Sequence, residues 1–453
     1  MENAWLKLSK NEDKKVTEYC EEYKSFLDVA KTERLATEEI IKIAEENGFK
    51  SIEQFSKKKP KSGDKIYVNY KGKSVIMFVV GTENVENGMN MVGAHLDSPR
   101  LDLKANPLYE SDNIAKLKTH YYGGVKKYQY ATIPLAMHGV VYNKNGEKIE
   151  IHIGEDDNDP VFCVSDLLIH LSKDQMQKTL AEGITGEQLN VIIGNKPIKD
   201  GDKNSVKKHI LNILKEKYNI EEEDFKIAEL EIVPAGKAKD LGLDRSMILA
   251  YGHDDRVCAF ATLKAMLEVK KPKKTAVGIF VDKEEIGSVG NTGMASHIFE
   301  NIITEFINLS EEATYLKVQR ALKNSRVLSA DVTVGYDPDF AETTEKLNTA
   351  YIGNGIALCK YTGSRGKGGS NDASAEFLNE VRKTFDENNV IWQTGELGKV
   401  DQGGGGTIAY LISKYGAEVV DCGTPVLSMH APYEIASKVD CYMTYKCYLS
   451  FLK

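Results

Sequence analysis

The sequence predicts an α/β fold, a mainly parallel sheet covered by helices, interrupted by an inserted mixed α+β domain. Three observations carry this. Short apolar runs alternate with amphipathic stretches near the start of the chain and again over its second half, the pattern of a sheet covered on both faces. Between about residues 103 and 238 the texture changes to short alternating segments mixed with helical ones. Residues suited to catalysis fall repeatedly at the carboxyl ends of apolar runs, where open α/β sheets gather their ligands.

Residues 15–48 carry apolar residues at helical spacing among many Glu and Lys and read as helical. "SVIMFVVG" (74–81) and "NMVGAH" (90–95) read as strands. In the middle section "YQYATIPLAMHGVVYN" and "EKIEIHIG" read as short strands, while "FCVSDLLIHLSKDQMQKTL" and "KNSVKKHILNILKEKYNIEEEDF" read as amphipathic helices. After "GHDDR" the α/β pattern resumes. It runs through a helix at 256–270, a strand at 276–281 and a mostly helical stretch at 292–306. Then come the strand "RVLSADVTVG" ending near Asp331, the helix "SNDASAEFLNEVRKTFDENN" and the strand "TPVLSMH" ending at His430. The expected division is one α/β domain split in sequence, 1–103 and 239–453, around an inserted domain, 104–238.

At 453 residues the chain is long for one compact core, which favours two domains. A formal net charge of −8 makes a general nucleic-acid binder or an anionic-membrane binder unfavourable. No apolar stretch approaches the length of a spanning helix, and "MENAWLKLSKNEDKK" has no signal-peptide core. Seven cysteines, scattered and without a CxxC pair, argue against a disulfide framework or a zinc–thiolate site. The expectation is a cytoplasmic protein with no membrane and no nucleic-acid partner.

His95 and Asp97 follow the apolar run at 91–94, Glu284 and Glu285 follow 276–281, Asp331 follows 327–330, and His430 follows 426–429. Asp254 and Asp255 stand between "MILAYG" and a helix start. Each alone has an ordinary explanation. An Asp before a helix is usually an N-cap, a Glu-Glu pair is usually a solvated loop, and a strand-end His is usually a structural hydrogen-bonder. One geometry repeated at five places is much harder to explain that way. Imidazole and carboxylate without thiolate suit catalytic zinc. Two divalent ions, three carboxylate ligands and a bridging hydroxide balance in charge. One Asp between the ions would give an oxygen to each at the ~3.5–4 Å separation of two-metal sites. The adjacent glutamates then divide the work, one binding metal and the other taking the proton of the bridging water. Asp97 stands two residues after His95, placed to receive its second ring N–H.

The ordered set "GAHLDSPRLDLK", "GHDDRVCA", "DKEEIGS", "SADV" and "LSMHAPYE" resembles the motifs of the aspartyl-aminopeptidase family of dinuclear zinc aminopeptidases, in its bacterial aminopeptidase 1 branch. The resemblance covers nearly the whole chain. It implies that His95, Asp254, Glu285, Asp331 and His430 bind two zinc ions with Asp254 bridging, that Glu284 is the general base, and that Asp97 orients His95. It implies that the insertion is a dimerisation domain whose His170, in "DLLIHL", reaches a neighbouring subunit's active site to stabilise the oxyanion. It also implies a large homo-oligomer, a dodecamer built from dimers, acting on peptide substrates. The sequence departs from eukaryotic members after Asp331, where "VTVGYDPDF" contains no histidine.

The expected activity is removal of the N-terminal residue of peptides. The competing readings are a carboxypeptidase or N-acyl amino-acid deacylase with the same metals, and a cage-forming scaffold with a vestigial site; the retained Glu284 speaks against the scaffold. The run "GKVDQGGGGTIAYL" invites comparison with a phosphate cradle at a helix start, but lacks the GxxxxGK[ST] pattern. Family members differ in preferring acidic or neutral N-terminal residues. An acidic side chain entering a pocket needs a cation, so Arg365 or Lys367, in the loop 360–371, is expected to face it.

Overall fold

The computed structural model describes residues 2–56, 58–199 and 203–453. Its contacts divide the chain into two compact units: Met1–Ser98, Ala238–Met429 and Glu434–Lys453 form the first, and Pro99–Lys237 with His430–Tyr433 the second.

The first unit is built on a nine-stranded mixed sheet. At its centre Ala276–Val281, Asn90–His95, Arg326–Ser329 and Glu418–Gly423 lie side by side, all parallel. All six residues of both Ala276–Val281 and Asn90–His95 are buried, as expected of strands covered on both faces. Three pairings are antiparallel. Lys65–Tyr70 turns back as Ser74–Val79 through Lys71 and Gly72, both left-handed (φ 58° and 68°), and this hairpin docks antiparallel on Ala276–Val281. Ile356–Cys359 runs antiparallel to Glu418–Gly423. A hairpin depends on local turn conformation rather than on strand–helix alternation.

Helices follow from local signals. Lys10–Val29 begins at a capping box, Ser9 with Glu12, and buries Val16, Tyr19, Cys20, Tyr23, Phe26 and Leu27 at helical spacing. Thr32 caps Glu33–Glu46. His253–Glu268 and Lys438–Leu452 pack against each other and are buried on nearly every side. That is why neither shows a clear amphipathic stripe.

Several sequence expectations shift. The helical stretch expected at 292–306 begins only at Ile298. The strand through Asp331 is two strands in two sheets. Arg326–Ser329 belongs to the large sheet, whereas Thr333–Val334 pairs with Pro425–Leu427 in a five-stranded one. Asp331 therefore sits where the chain changes sheets. The strand before His430 stops at Leu427, because Ser428 and His430 adopt left-handed conformations (φ 58° and 65°).

The second unit carries a seven-stranded sheet, with every pairing antiparallel. Leu101, Met137, Ile151, Ile153, Leu230 and Ile232 alternate onto its core face. Arg100–Ser111 is a strand of this sheet, pairing with Glu229–Pro234, so the unit begins at Pro99 rather than at residue 104. The amphipathic helix expected at 162–180 is absent. In its place are a two-residue strand, Cys163–Val164, and separate short turns, Ile169–Leu171, Gln175–Gln177 and Leu180–Gly183. Leu168, Ile169, Leu171 and Met176 remain 54–70% exposed. Without a buried face, nothing offsets the cost of forming a helix.

Asp440, at the start of the final helix, is fully buried and accepts the backbone N–H of Gly353 (2.6 Å) and Gly355 (2.7 Å). Burial pushes its carboxyl up to about 8, against those two donors. A folded-state value raised above the unfolded one contributes stability that is complete below about pH 4 and is lost as pH rises through about 8. Asp440→Ala orphans two buried donors and is expected to cost about 2–4 kcal/mol in urea unfolding. Asp440→Asn is expected to flatten the decline in stability between about pH 4 and 8.

Candidate metal centre

His95 is the last residue of a central strand and is 2% exposed. Its strand neighbour ends at Val281, and the chain then turns through left-handed Lys283 (φ 67°) to present Glu284 and Glu285 before Gly287. Asp97, fully buried, holds this turn. Its two carboxylate oxygens accept the backbone N–H of Glu284 and of Glu285, each at 3.1 Å. The nearer acceptor for His95 Nδ1 is the Asp97 carbonyl at 3.0 Å, with the carboxylate at 3.4 Å. Asp97 thus positions the histidine mainly through its backbone, and the glutamates through its side chain.

The other ring nitrogen of His95 faces acids. Nε2 lies 3.2 Å from Asp254 Oδ1, 3.8 Å from Asp331 Oδ1 and 3.9 Å from Glu284 Oε2. Ligand atoms fall into two overlapping groups, His95 with Glu284 and Asp331, and His95 with Asp254 and Glu285. Burial alone would lower the His95 pKa, but the acids at Asp254, Asp97, Asp331 and Glu284 outweigh it and raise it well above the usual imidazole value. Burial raises Asp331 well above the carboxylate range; Glu284, Asp255 and Asp254 add to that, and His95 opposes it. So many carboxylates in one dry place stay ionised only beside a compensating cation. The donor set, imidazole and carboxylate oxygen without thiolate, fits zinc.

Side chains not singled out by strand-end position fix Asp254. The Ser98 hydroxyl donates to its carbonyl at 2.6 Å, and Glu434 Oε2 accepts its N–H at 3.0 Å. Asp255 Oδ2 accepts the N–H of His95 at 3.3 Å. The peptide bond between Asp254 and Asp255 is cis. The doubled Asp in "HDDR" and the acid closing "HAPYE" were the available signals.

The other expected residues are in neither ligand group among the described residues. His430 belongs to neither ligand group among the described residues; its Nδ1 lies 2.9 Å from the carbonyl of Gly124, within the second unit. His170 is exposed on the single turn Ile169–Leu171 rather than on a long helix. Lys367 Nζ bonds Asp372 at 2.9 Å and sits 3.9 Å over the Tyr361 ring, and Lys360 also pairs with Asp372. Arg365 is exposed in a left-handed conformation.

The chain matches the model of the family described as "Aminopeptidase I zinc metalloprotease (M18)" over residues 26–452. It is 52% identical over 453 residues to a probable M18 family aminopeptidase 1 of Clostridium acetobutylicum, covering 99% of this chain and 97% of that one. The crystal structure of aminopeptidase I from the same organism superposes with a TM-score of 0.92 at 50% identity, covering 100% of this chain and 99% of that one. An M18 aminopeptidase from Thermotoga maritima superposes with a TM-score of 0.95 at 43% identity, with 100% and 99% coverage.

Gly423 lets the segment carrying Asp331 approach. A Cβ at Gly423 would lie 1.7 Å from the Asp331 carbonyl oxygen and 2.6 Å from its carbon, both backbone atoms that cannot swing away. Gly423→Ala is expected to displace Asp331, costing about 1–3 kcal/mol of stability and lowering bound zinc. Elemental analysis after dialysis and melting with and without added zinc check both effects.

Proposed function

The chain belongs to the M18 family of zinc metalloproteases and is an aminopeptidase; from that premise we propose how its residues divide the work. The observation that carries the reading is the convergence of Asp254, Glu284, Glu285 and Asp331 on His95. His95, Asp254, Glu285 and Asp331 would hold two divalent ions, with Asp254 as their shared ligand and His430 as the fifth ligand that the family motif implies. Bound zinc supplies Lewis acidity and lowers the pKa of water. Glu284, placed by its N–H on Asp97, accepts the proton of the attacking water at a carboxylate oxygen. It then returns that proton to the nitrogen of the leaving peptide as the C–N bond breaks. Asp97, Ser98 and Glu434 keep these groups in place.

The competing readings, a carboxypeptidase or deacylase and an inert scaffold, have no observation in their favour once the family is known. Peptides are the substrates. For the side chain of the N-terminal residue, Arg365 is the cation of its loop that we favour, since Lys367 is already paired with Asp372. A cytoplasmic location fits seven free cysteines, six of them buried. Among the described residues no helix is long and apolar enough to cross a membrane.

The apolar side chains beside His170, Leu168, Ile169 and Leu171, are 54–70% exposed, as expected of a surface covered by another copy. A Saccharomyces protein of the same fold, 19% identical, is described as a dodecamer. We read this chain as a homo-oligomer built from dimers, with the dimer contact on the inserted unit and His170 serving a neighbour's site.

Glu284→Gln keeps the size and removes the base. It is expected to retain zinc and to lose about 10²–10⁴-fold in turnover, measured by metal analysis alongside aminoacyl-anilide kinetics. Near-normal turnover would remove Glu284 from this role. His170→Ala is expected to impair turnover with zinc retained, and to regain activity when mixed with Glu284→Gln subunits, because hybrid assemblies then contain intact composite sites. Zinc loss in His170→Ala would make it a ligand instead.

A further inference from the structure

Outside the centre at His95, the polar face of the second unit's sheet carries a row of titratable side chains. His152, His138 and Glu231 stand directly opposite one another on adjacent strands, followed by Asp102 and His120. Within this row His138 and His152 are unusually close. Their Nδ1 atoms are 3.3 Å apart. We propose that His138 and His152 form a second, peripheral metal site for zinc or a similar divalent ion that favours nitrogen ligands.

Three features support it. With Zn–N bonds of about 2.0–2.1 Å, two ligands of a tetrahedral ion lie about 3.3–3.4 Å apart, which is the separation present here. The opposite nitrogen of His138, Nε2, lies 3.2 Å from Glu155 Oε1, and the other oxygen of Glu155 accepts the N–H of Gly236 at 3.1 Å. A carboxylate held in this way selects the Nε2–H tautomer and leaves the Nδ1 lone pair facing His152, the arrangement found behind metal-bound histidines. Burial and the neighbouring His138 also lower the pKa of His152, so it is neutral and ready to ligate near pH 7. His138 is 2% exposed, whereas His152 is open to solvent and gives an ion a way in. Glu231, on the other side of His138, is engaged by Arg100 at 3.2 Å. The protein thus supplies two ligands and water the rest, so the site binds less tightly than the centre at His95.

The simpler explanation is a hydrogen bond from one imidazole to the other, and the test separates the two. His152→Asn keeps a hydrogen-bonding side chain but is a poor zinc ligand, and its exposure makes the change safe for folding. Full-length wild type and variant are equilibrated with zinc alone, buffered across the micromolar range, and bound metal is counted. The expected result is one weakly held equivalent lost in His152→Asn, with tightly held zinc and turnover unchanged. Glu155→Gln is expected to weaken that equivalent about 10–100-fold. The same zinc isotherm in wild type and in both variants would overturn the proposal and leave an imidazole–imidazole hydrogen bond.

Discussion

Four carboxylates within ligand reach of a single buried imidazole are the constraint on which the first unit depends. Left to themselves the acids would separate or take up protons, as the raised pKa of Asp331 records. Ties from distant parts of the chain hold them. Asp97 fastens the two glutamate amides, Ser98 and Glu434 fasten both backbone groups of Asp254, and Asp255 fastens the amide of His95. Most of these ties act on backbone rather than on the carboxylates that face His95. A cation would then meet a ligand set whose electrostatic cost folding has already met, which is what preorganisation means for a hydrolytic site.

The parts legible in sequence were those set by local pattern. A fully apolar strand that stops near a charged residue shows where the sheet ends, and His95, Glu284, Glu285 and Asp331 all stand at or just past the ends of central strands. The less legible parts depend on partners far along the chain. The docking of the Lys65–Tyr70 hairpin depends on Ala276–Val281, and the break at Asp331 on Pro425–Leu427. The segment 162–180 was misread for a related reason. Its apolar spacing is real, but its Leu and Ile side chains face outward, and periodicity does not say whether a face will find a partner. The roles of Ser98 and Glu434 were hidden because a Ser or Glu beside a motif looks the same whether it bonds backbone or water.

The glycine-rich stretches have a packing explanation rather than a phosphate-binding one. The N–H of Gly363 donates to the carbonyl of Gly405 at 2.6 Å. A Cβ at Gly404 would meet the Gly363 carbonyl at 1.9 Å, and one at Gly403 would meet the Leu397 carbonyl at 1.8 Å. The run "QGGGGT" therefore lets one loop lie backbone to backbone on the other. Immediately after the run, Thr407 donates to the buried Asp421 at 2.6 Å, which ties the pair of loops to a central strand. This arrangement also bears on specificity. The loop carrying Arg365 is set by glycine contacts and by Asp372, which already pairs with Lys360 and Lys367. For either lysine, binding an acidic substrate would mean exchanging one carboxylate for another, with little net gain for an exposed pair. Arg365 makes no ion pair among the described residues, which is why it is the cation of this loop proposed to meet an acidic N-terminal side chain.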